Sequence, residues 1–340
     1  MVNKINNNIS KLSPDGSGRF IITGDILNKL YNSRNKVVKI LDVGGGSSYI
    51  SSMLMDLKSQ YELTSLDLIP KPINYRGTYI QADATKMPLK DNEFEVVIST
   101  DVLEHIPDNK KCSFISECIR VSSEYIIIAA PFNTDGVDSA EHATNDFNKY
   151  LFKEGQSWLE EHFSNKKPEL DSVLSFIKKL GYETKVVGSN NIYSWLLTTH
   201  ANLLEAKLGL GIDKIYSNNR ILNEDLLSSG DMLPPYYRQF IVIFKSKKKD
   251  SLELGYGDKK INHSIMTKYI HEIMTIIADR IENLKDDSIK NDRKYKKEIS
   301  ELRLQVEKLK DELSDKEAVI DSCKRYLKLR GFFTKRKDSK

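Results

Sequence analysis

The apolar stretch VVKILDV, residues 37–43, ends in an acid and then three glycines, Asp42-Val43-Gly44-Gly45-Gly46. A glycine turn behind a strand lets a ligand approach the backbone N–H groups at the start of the next helix. A dinucleotide fingerprint needs G-x-G-x-x-G; Gly44 and Gly46 fit it, but the third position is Tyr49. Asp42 is a poor neighbour for a pyrophosphate and a good one for a cationic amine. Asp67 lies 23 residues past Gly44, where an acid can grip a ribose diol through charge-assisted hydrogen bonds. Asp83 and Ala84 follow a third apolar stretch, where an adenine edge would lie. Each feature alone could be a tight turn or an exposed acid. Three acids at three successive strand ends point to one ligand.

Ribose, adenine, an amine and no phosphate describe S-adenosylmethionine, a carrier of an activated methyl group. A hydroxyl nucleophile would also need a general base, and the chain has six histidines. His105, in DVLEHIP behind the fourth apolar stretch, is the expected catalytic base. Glu104 beside it either orients it or faces the substrate. Glu141 and His142 follow the fifth stretch and are substrate-side candidates, as is His162 in WLEEHF. For Glu161-His162 the plainer alternative is a solvated amphipathic helix face. Cys112, Cys118 and Cys323 match no metal-ligand spacing and no disulfide framework, and no metal site is expected.

These residues need a scaffold that brings strand ends together. Strands are expected at 37–43, 61–68, 78–81, 94–100 and 124–131, then after Gly181, and at 237–246, with helical segments between them, the first near SYISSMLMDL. That alternation predicts an α/β fold with a parallel sheet and helices on both faces. About fifty mostly helical residues separate the last two strands, so 190–235 reads as an insertion, a lid or a partner surface. Residues 1–34 read as a helical lead-in, 35–247 as the main domain, 248–263 as a linker, 264–329 as a coiled coil and 330–340 as a basic tail.

In the coiled coil, Ile299, Leu302, Val306, Leu309, Leu313, Ile320, Cys323 and Leu327 occupy a and d positions of one heptad frame, interrupted by Lys316. Ile270, Met274, Ile277, Ile281 and Leu284 keep a similar spacing upstream, joined through a four-residue stutter. A homo-oligomer, dimer or trimer, is expected; a single solvated helix packed back on the domain is the alternative. The formal net charge of +4 hides an asymmetry, because the last twenty residues alone carry +6. The basic patch is therefore a tail rather than a groove, which argues against nucleic-acid binding by the core. Tyr326, Leu327, Leu329, Phe332 and Phe333 interleave with that charge. Such a tail suits an anionic membrane surface, or is a solubilising terminus. MVNKINNNIS lacks the apolar core of a signal peptide, and YIIIAAPF is far shorter than the roughly 20 residues of a membrane span. A cytoplasmic location is expected, peripheral to the inner face of the membrane if the tail binds there.

The segments ILDVGGGSS, SLDL and QADATKMPLKDNEFEVVISTDVLEHIPD resemble the class I S-adenosylmethionine-dependent methyltransferases, over about residues 35–247. Ser48 departs from the pattern, standing where many members have a further glycine. The resemblance implies a Rossmann-like, seven-stranded methyltransferase fold. It implies a donor site at Asp42, Gly44, Gly46, Asp67, Asp83 and Ala84. Further on, PFNTDGVDSAEHATNDFN, WLEEHF, NNIYSWLL and YYRQFIVIF look like methyltransferases found beside or fused to glycosyltransferases of cell-surface polysaccharides. That resemblance implies a sugar hydroxyl of a surface glycan or its lipid-linked precursor as acceptor, and a glycosyltransferase as partner. Two rival readings stand: a small-molecule or quinone/lipid O-methyltransferase, and a coiled-coil scaffold that retains the fold without the activity.

Overall fold

Residue-by-residue alternation along the strands decides the architecture. The computed structural model describes residues 14–31, 36–46, 61–73, 75, 77–209, 233–246 and 263–329. Seven strands form one sheet: β1 (Val38–Val43), β2 (Tyr61–Asp67), β3 (Thr78–Gln81), β4 (Phe94–Thr100), β5 (Ser122–Ala130), β6 (Glu183–Asn191) and β7 (Tyr236–Phe244). Their order is β3-β2-β1-β4-β5-β7-β6. Central strands bury both faces, so they read as continuous apolar runs rather than alternating ones. Ile40, Val96, Ile98, Ile127, Phe240 and Val242 face one layer, while Leu41, Val97, Ile126, Ile128, Ile241 and Ile243 face the other.

Helix α1 (Pro14–Tyr31) covers the first layer with Phe20, Ile22, Ile26, Leu27 and Tyr31, all buried. The expected lead-in thus contributes to the core itself. The second layer is covered by α2 (Lys111–Val121), through Phe114, Ile115, Cys118 and Ile119, together with Val173 and Ile177 of a later helix. After β5 the chain forms α3 (Asp135–Phe152), α4 (Ser157–Asn165) and α5 (Leu170–Lys179), then β6 and α6 (Ile192–Leu208). Thr134 caps α3 by accepting the Val137 N–H, and α3 ends on Lys153 in the left-handed region. Asn191 caps α6 in the same way, and Gly209 stops it at φ +60°. Trp195 of α6 stacks on Tyr237 of β7 at 3.9 Å and anchors α3 through Val137 and Ala140.

The parallel expectation holds for every strand of the sheet except β7. Pairings among β1 to β5 are parallel, but β7 runs antiparallel to both β5 and β6, with Ile127 opposite Val242 and Val187 opposite Phe240. The long connection through α6 lets β7 return in the opposite direction and wedge between its neighbours. The expected helix after the glycine turn, residues 210–232 of the insertion, most of the linker and the basic tail lie outside the described residues.

The helix α7 (His263–Leu329) has 67 residues, roughly 100 Å at 1.5 Å per residue. The chain divides into two compact units, residues 1–276 and 277–340. Within the second unit, Ile281, Leu284, Ile299, Leu302, Val306, Leu309 and Ile320 are exposed. Lys296 pairs with Asp292 at 2.7 Å, an i,i+4 contact. No described helix is long and apolar enough to cross a membrane.

Candidate active site

Gly44 holds φ +82° at the end of β1 and donates its N–H to Leu66 O at 2.7 Å. A Cβ there would lie 2.2 Å from Val102 Cγ2. A Cβ on Gly45 would lie 2.3 Å from Asp42 Oδ2, and one on Gly46 2.7 Å from Asp67 Oδ2. A side chain at Gly44 is opposed by both its φ and Val102, and one at Gly45 or Gly46 would press on the Asp42 or Asp67 carboxylate. Asp67 closes it by accepting the Gly46 N–H at 2.8 Å and the Ile69 N–H at 3.2 Å. Asp42 pairs in register with Ser65 and Ile98 and is buried, and its Oδ2 has no hydrogen-bond partner among the described residues. Burial, with Asp67 adding repulsion, pushes its carboxyl up to about 7. Asp83, just past β3, accepts the N–H and hydroxyl of Thr85 at 2.8 and 2.7 Å, which hold it below the usual carboxylate range. Ala84 follows it. Asp42, Asp67 and Asp83 thus stand at the C-terminal ends of three adjacent strands, the edge where such sheets bind ligands. Ser48 and Tyr49 lie outside the described residues.

The residues present fit S-adenosylmethionine. An orphaned buried carboxylate beside a glycine cradle suits a cationic amine, and Asp67 already accepts hydrogen bonds where a diol would donate them.

A second cluster stands at the end of β4. Asp101, φ 56°, receives Arg238 Nε at 2.5 Å and Nη2 at 2.7 Å, and also pairs with Arg19 of α1. Burial would raise its carboxyl, but the two guanidiniums outweigh this and hold it low. His105 follows in a turn, its N–H bonded to Val102 O at 2.9 Å. Its Nδ1 pairs with Glu161 Oε2 at 2.9 Å, and its Nε2 lies 3.3 Å from His162 Nε2. His162 Nδ1 in turn pairs with Glu141 Oε1 at 2.9 Å. Glu141 also accepts Lys167 Nζ at 2.9 Å and the Tyr237 hydroxyl at 3.0 Å. Burial raises its carboxyl, and the bonds from His162 and Lys167 bring it below the ordinary value. Burial first, then His162, lowers the His105 imidazole. Glu104 is buried, its Oε2 has no partner among the described residues, and burial followed by Asp101 raises its carboxyl well above normal.

The structure thus brings His105, Glu104, His162 and Glu141 together and leaves His142 apart. His142 is largely exposed, stacks on Phe163 at 4.3 Å and lies 3.6 Å from Asp138. The solvated-face alternative for His162 is corrected, since that side chain is 2% exposed. Glu104, a candidate to orient His105, faces His162 instead; Glu161 takes the orienting position. Asp101, Arg19, Arg238, Lys167 and Tyr237 were not anticipated. Asp101 carried the same signal as Asp42 and Asp67, an acid closing a strand, whereas the other four have no local pattern. A cavity of about 710 Å³ has His162 in its wall, together with Lys111, Asn133, Asp138, His142, Phe163 and Lys167.

Residues 41–124 match the family described as "Methyltransferase domain". An uncharacterized methyltransferase of Mycobacteroides abscessus is 34% identical over 77 residues, 20% of this chain and 30% of its own length. An uncharacterized protein of Methanocaldococcus jannaschii is 29% identical over 122 residues, 36% of this chain and 52% of its own. The chain therefore spans about a third to a half of the length of the curated relatives it matches. Among solved structures, a magnesium protoporphyrin IX methyltransferase of Synechocystis with bound SAH is 14% identical, at TM-score 0.42, covering 68% of this chain and 86% of its own. The match places a methyltransferase domain over residues 41–124, and the strand order, the glycine turn and the acids at the strand ends agree with one that uses S-adenosylmethionine.

Proposed function

We propose that the chain transfers a methyl group from S-adenosylmethionine to an acceptor hydroxyl, on a sugar of a cell-surface glycan or its lipid-linked precursor. The observation that carries the reading is the row of acids, Asp42, Asp67 and Asp83, around a glycine turn with a buried carboxylate left without a partner. When bound, the donor supplies an activated methyl on a sulfonium. Asp42 faces the amine, Asp67 the ribose and the Asp83–Ala84 turn the adenine. His105 stands at the acceptor side of the same sheet edge, held through Nδ1 by Glu161, and takes the hydroxyl proton. Most of the catalytic gain then comes from holding the nucleophile in line, an effective-molarity effect. The glycan acceptor and a glycosyltransferase partner rest on the resemblance of residues 131–245 to polysaccharide-associated methyltransferases. The exposed apolar seam of α7 supports a homo-oligomer, and the basic tail a peripheral contact with the inner face of the membrane.

Calorimetric titration of S-adenosylmethionine into the wild type and Asp67→Ala tests the donor site. Saturable binding that weakens at least tenfold in the variant is expected. A wild type that binds no donor refutes the reading and leaves the coiled-coil scaffold. For the acceptor, deleting the protein should remove methyl groups from surface polysaccharide and leave the quinone profile intact; the reverse result favours the quinone reading.

A further inference from the structure

Two imidazoles meet Nε2 to Nε2 at 3.3 Å in the cluster behind β4, and each has its other nitrogen on a carboxylate, His105 on Glu161 and His162 on Glu141. With the proton of each neutral ring on its carboxylate-paired Nδ1, both Nε2 atoms present lone pairs to each other. Two lone pairs at that distance repel unless something positive lies between them. Beside them is Glu104, 1% exposed, its Oε2 without a partner among the described residues and its Oε1 4.0 Å from His162 Nε2. One ligand atom from each of Glu104, His105 and His162 falls within 4.8 Å of the others.

We propose that Glu104, His105 and His162 form a binding site for a divalent transition-metal cation of the zinc type. Two nitrogens bound tetrahedrally at about 2.0–2.1 Å from zinc are about 3.3–3.4 Å apart, which is the spacing the two rings already hold. Glu104 has about an ångström to close, a side-chain rotation. Two histidines and one carboxylate with a further position open form the donor set of catalytic rather than structural zinc. The open position accepts an oxygen ligand, water or a hydroxyl. The surrounding shell is complete: Glu161 and Glu141 orient the rings, and Lys167 and the Tyr237 hydroxyl hold Glu141. His162 is buried and His105 half-buried, so the pair is open on the His105 side. The site has no local pattern, because its ligands come from the β4 turn and from α4, 57 positions apart. Binding of the cation does not rest on the methyltransferase reading; while it is bound, the His105 lone pair belongs to the metal and His105 is not available as the base.

The test uses tag-free full-length protein stripped with a chelator. Zn²⁺ is titrated against a chromophoric competitor, and Co²⁺ is followed by its visible absorption. One cation per chain is expected, with intense low-symmetry Co²⁺ bands. His105→Gln and His162→Gln should each weaken binding at least a hundredfold, and Glu141→Gln by about 10- to 100-fold. Donor titration and circular dichroism on the same samples report whether each variant is folded. No cation bound by a folded wild type, or stoichiometry and bands unchanged in folded His105→Gln, overturns the proposal. Donor binding without cation binding sinks this site alone, and cation binding without donor binding sinks the methyltransferase reading alone.

Discussion

Replacing Asp42 by asparagine tests how the donor site is maintained. The folded protein keeps the Asp42 proton up to about pH 7, because burial and then Asp67 disfavour the anion, whereas the ordinary carboxyl value is 3.8. Between those values the folded state binds more protons than the unfolded chain, so stability falls as pH rises through that window. The contribution is whole below 3.8 and gone above about 7. Each pH unit is worth about 1.36 kcal/mol, so the two units from pH 5 to 7 amount to about 3 kcal/mol. Asparagine keeps the shape and cannot ionise. The advantage of Asp42→Asn over the wild type should therefore grow by about 3 kcal/mol between pH 5 and pH 8. Urea denaturation without donor, followed by tryptophan fluorescence, measures this within one unit, since Trp158 and Trp195 both lie in residues 1–276. The same variant should lose donor affinity, the usual exchange of stability for function. Parallel stability curves for the two proteins across that range would refute the argument that Asp42 is a carboxylate buried at a cost for a cationic ligand.

Gly44→Ala should destabilise by about 2–4 kcal/mol through left-handed strain and the collision with Val102; a double-mutant cycle with Val102→Ala should recover the steric part, and additive losses would count against it. Arg238→Ala leaves Asp101 with Arg19 alone and should cost about 3–5 kcal/mol in urea unfolding; a loss below 1 kcal/mol would show that the buried pair is solvated. A chain ending at residue 276, the end of the first unit, should bind donor unchanged and have monomer mass by light scattering, whereas the full chain should be a dimer or trimer. Equal association states for the two would remove the coiled coil as the means of assembly.

The strands were legible because parallel strands buried on both faces leave continuous apolar runs such as VVI and IIIAA, and six of the seven match within two residues at both ends. The direction of β7 was not legible, because FIVIF reads the same either way and only the long connection through α6 decides it. The spacing of Asp42, Gly44, Asp67 and Asp83 was enough to put them at one sheet edge, since Asp42 and Asp67 stand at the ends of their strands and Gly44 and Asp83 just beyond. The acceptor side depends on contacts between distant positions. Glu141 meets Tyr237 across 96 residues and Lys167 across 26. His162 was ambiguous because a nine-residue helix with Glu160 and Glu161 looks solvated until α3 is placed over it.

Asp101 gathers Arg19, 82 positions earlier, and Arg238, 137 positions later. This imposes an order of assembly on the ribosome. When β4 emerges, α1 is already present and Asp101 can take one partner, but its second guanidinium has yet to be made. Until β7 arrives, β5 keeps an open edge and β6 has no strand to lie against, because β7 separates them. The fold is therefore closed by its last strand, and the charge at the heart of the site is balanced at the same moment. A nascent chain stalled before residue 236 would expose a bare sheet edge and a half-paired buried acid, a species for a chaperone to hold.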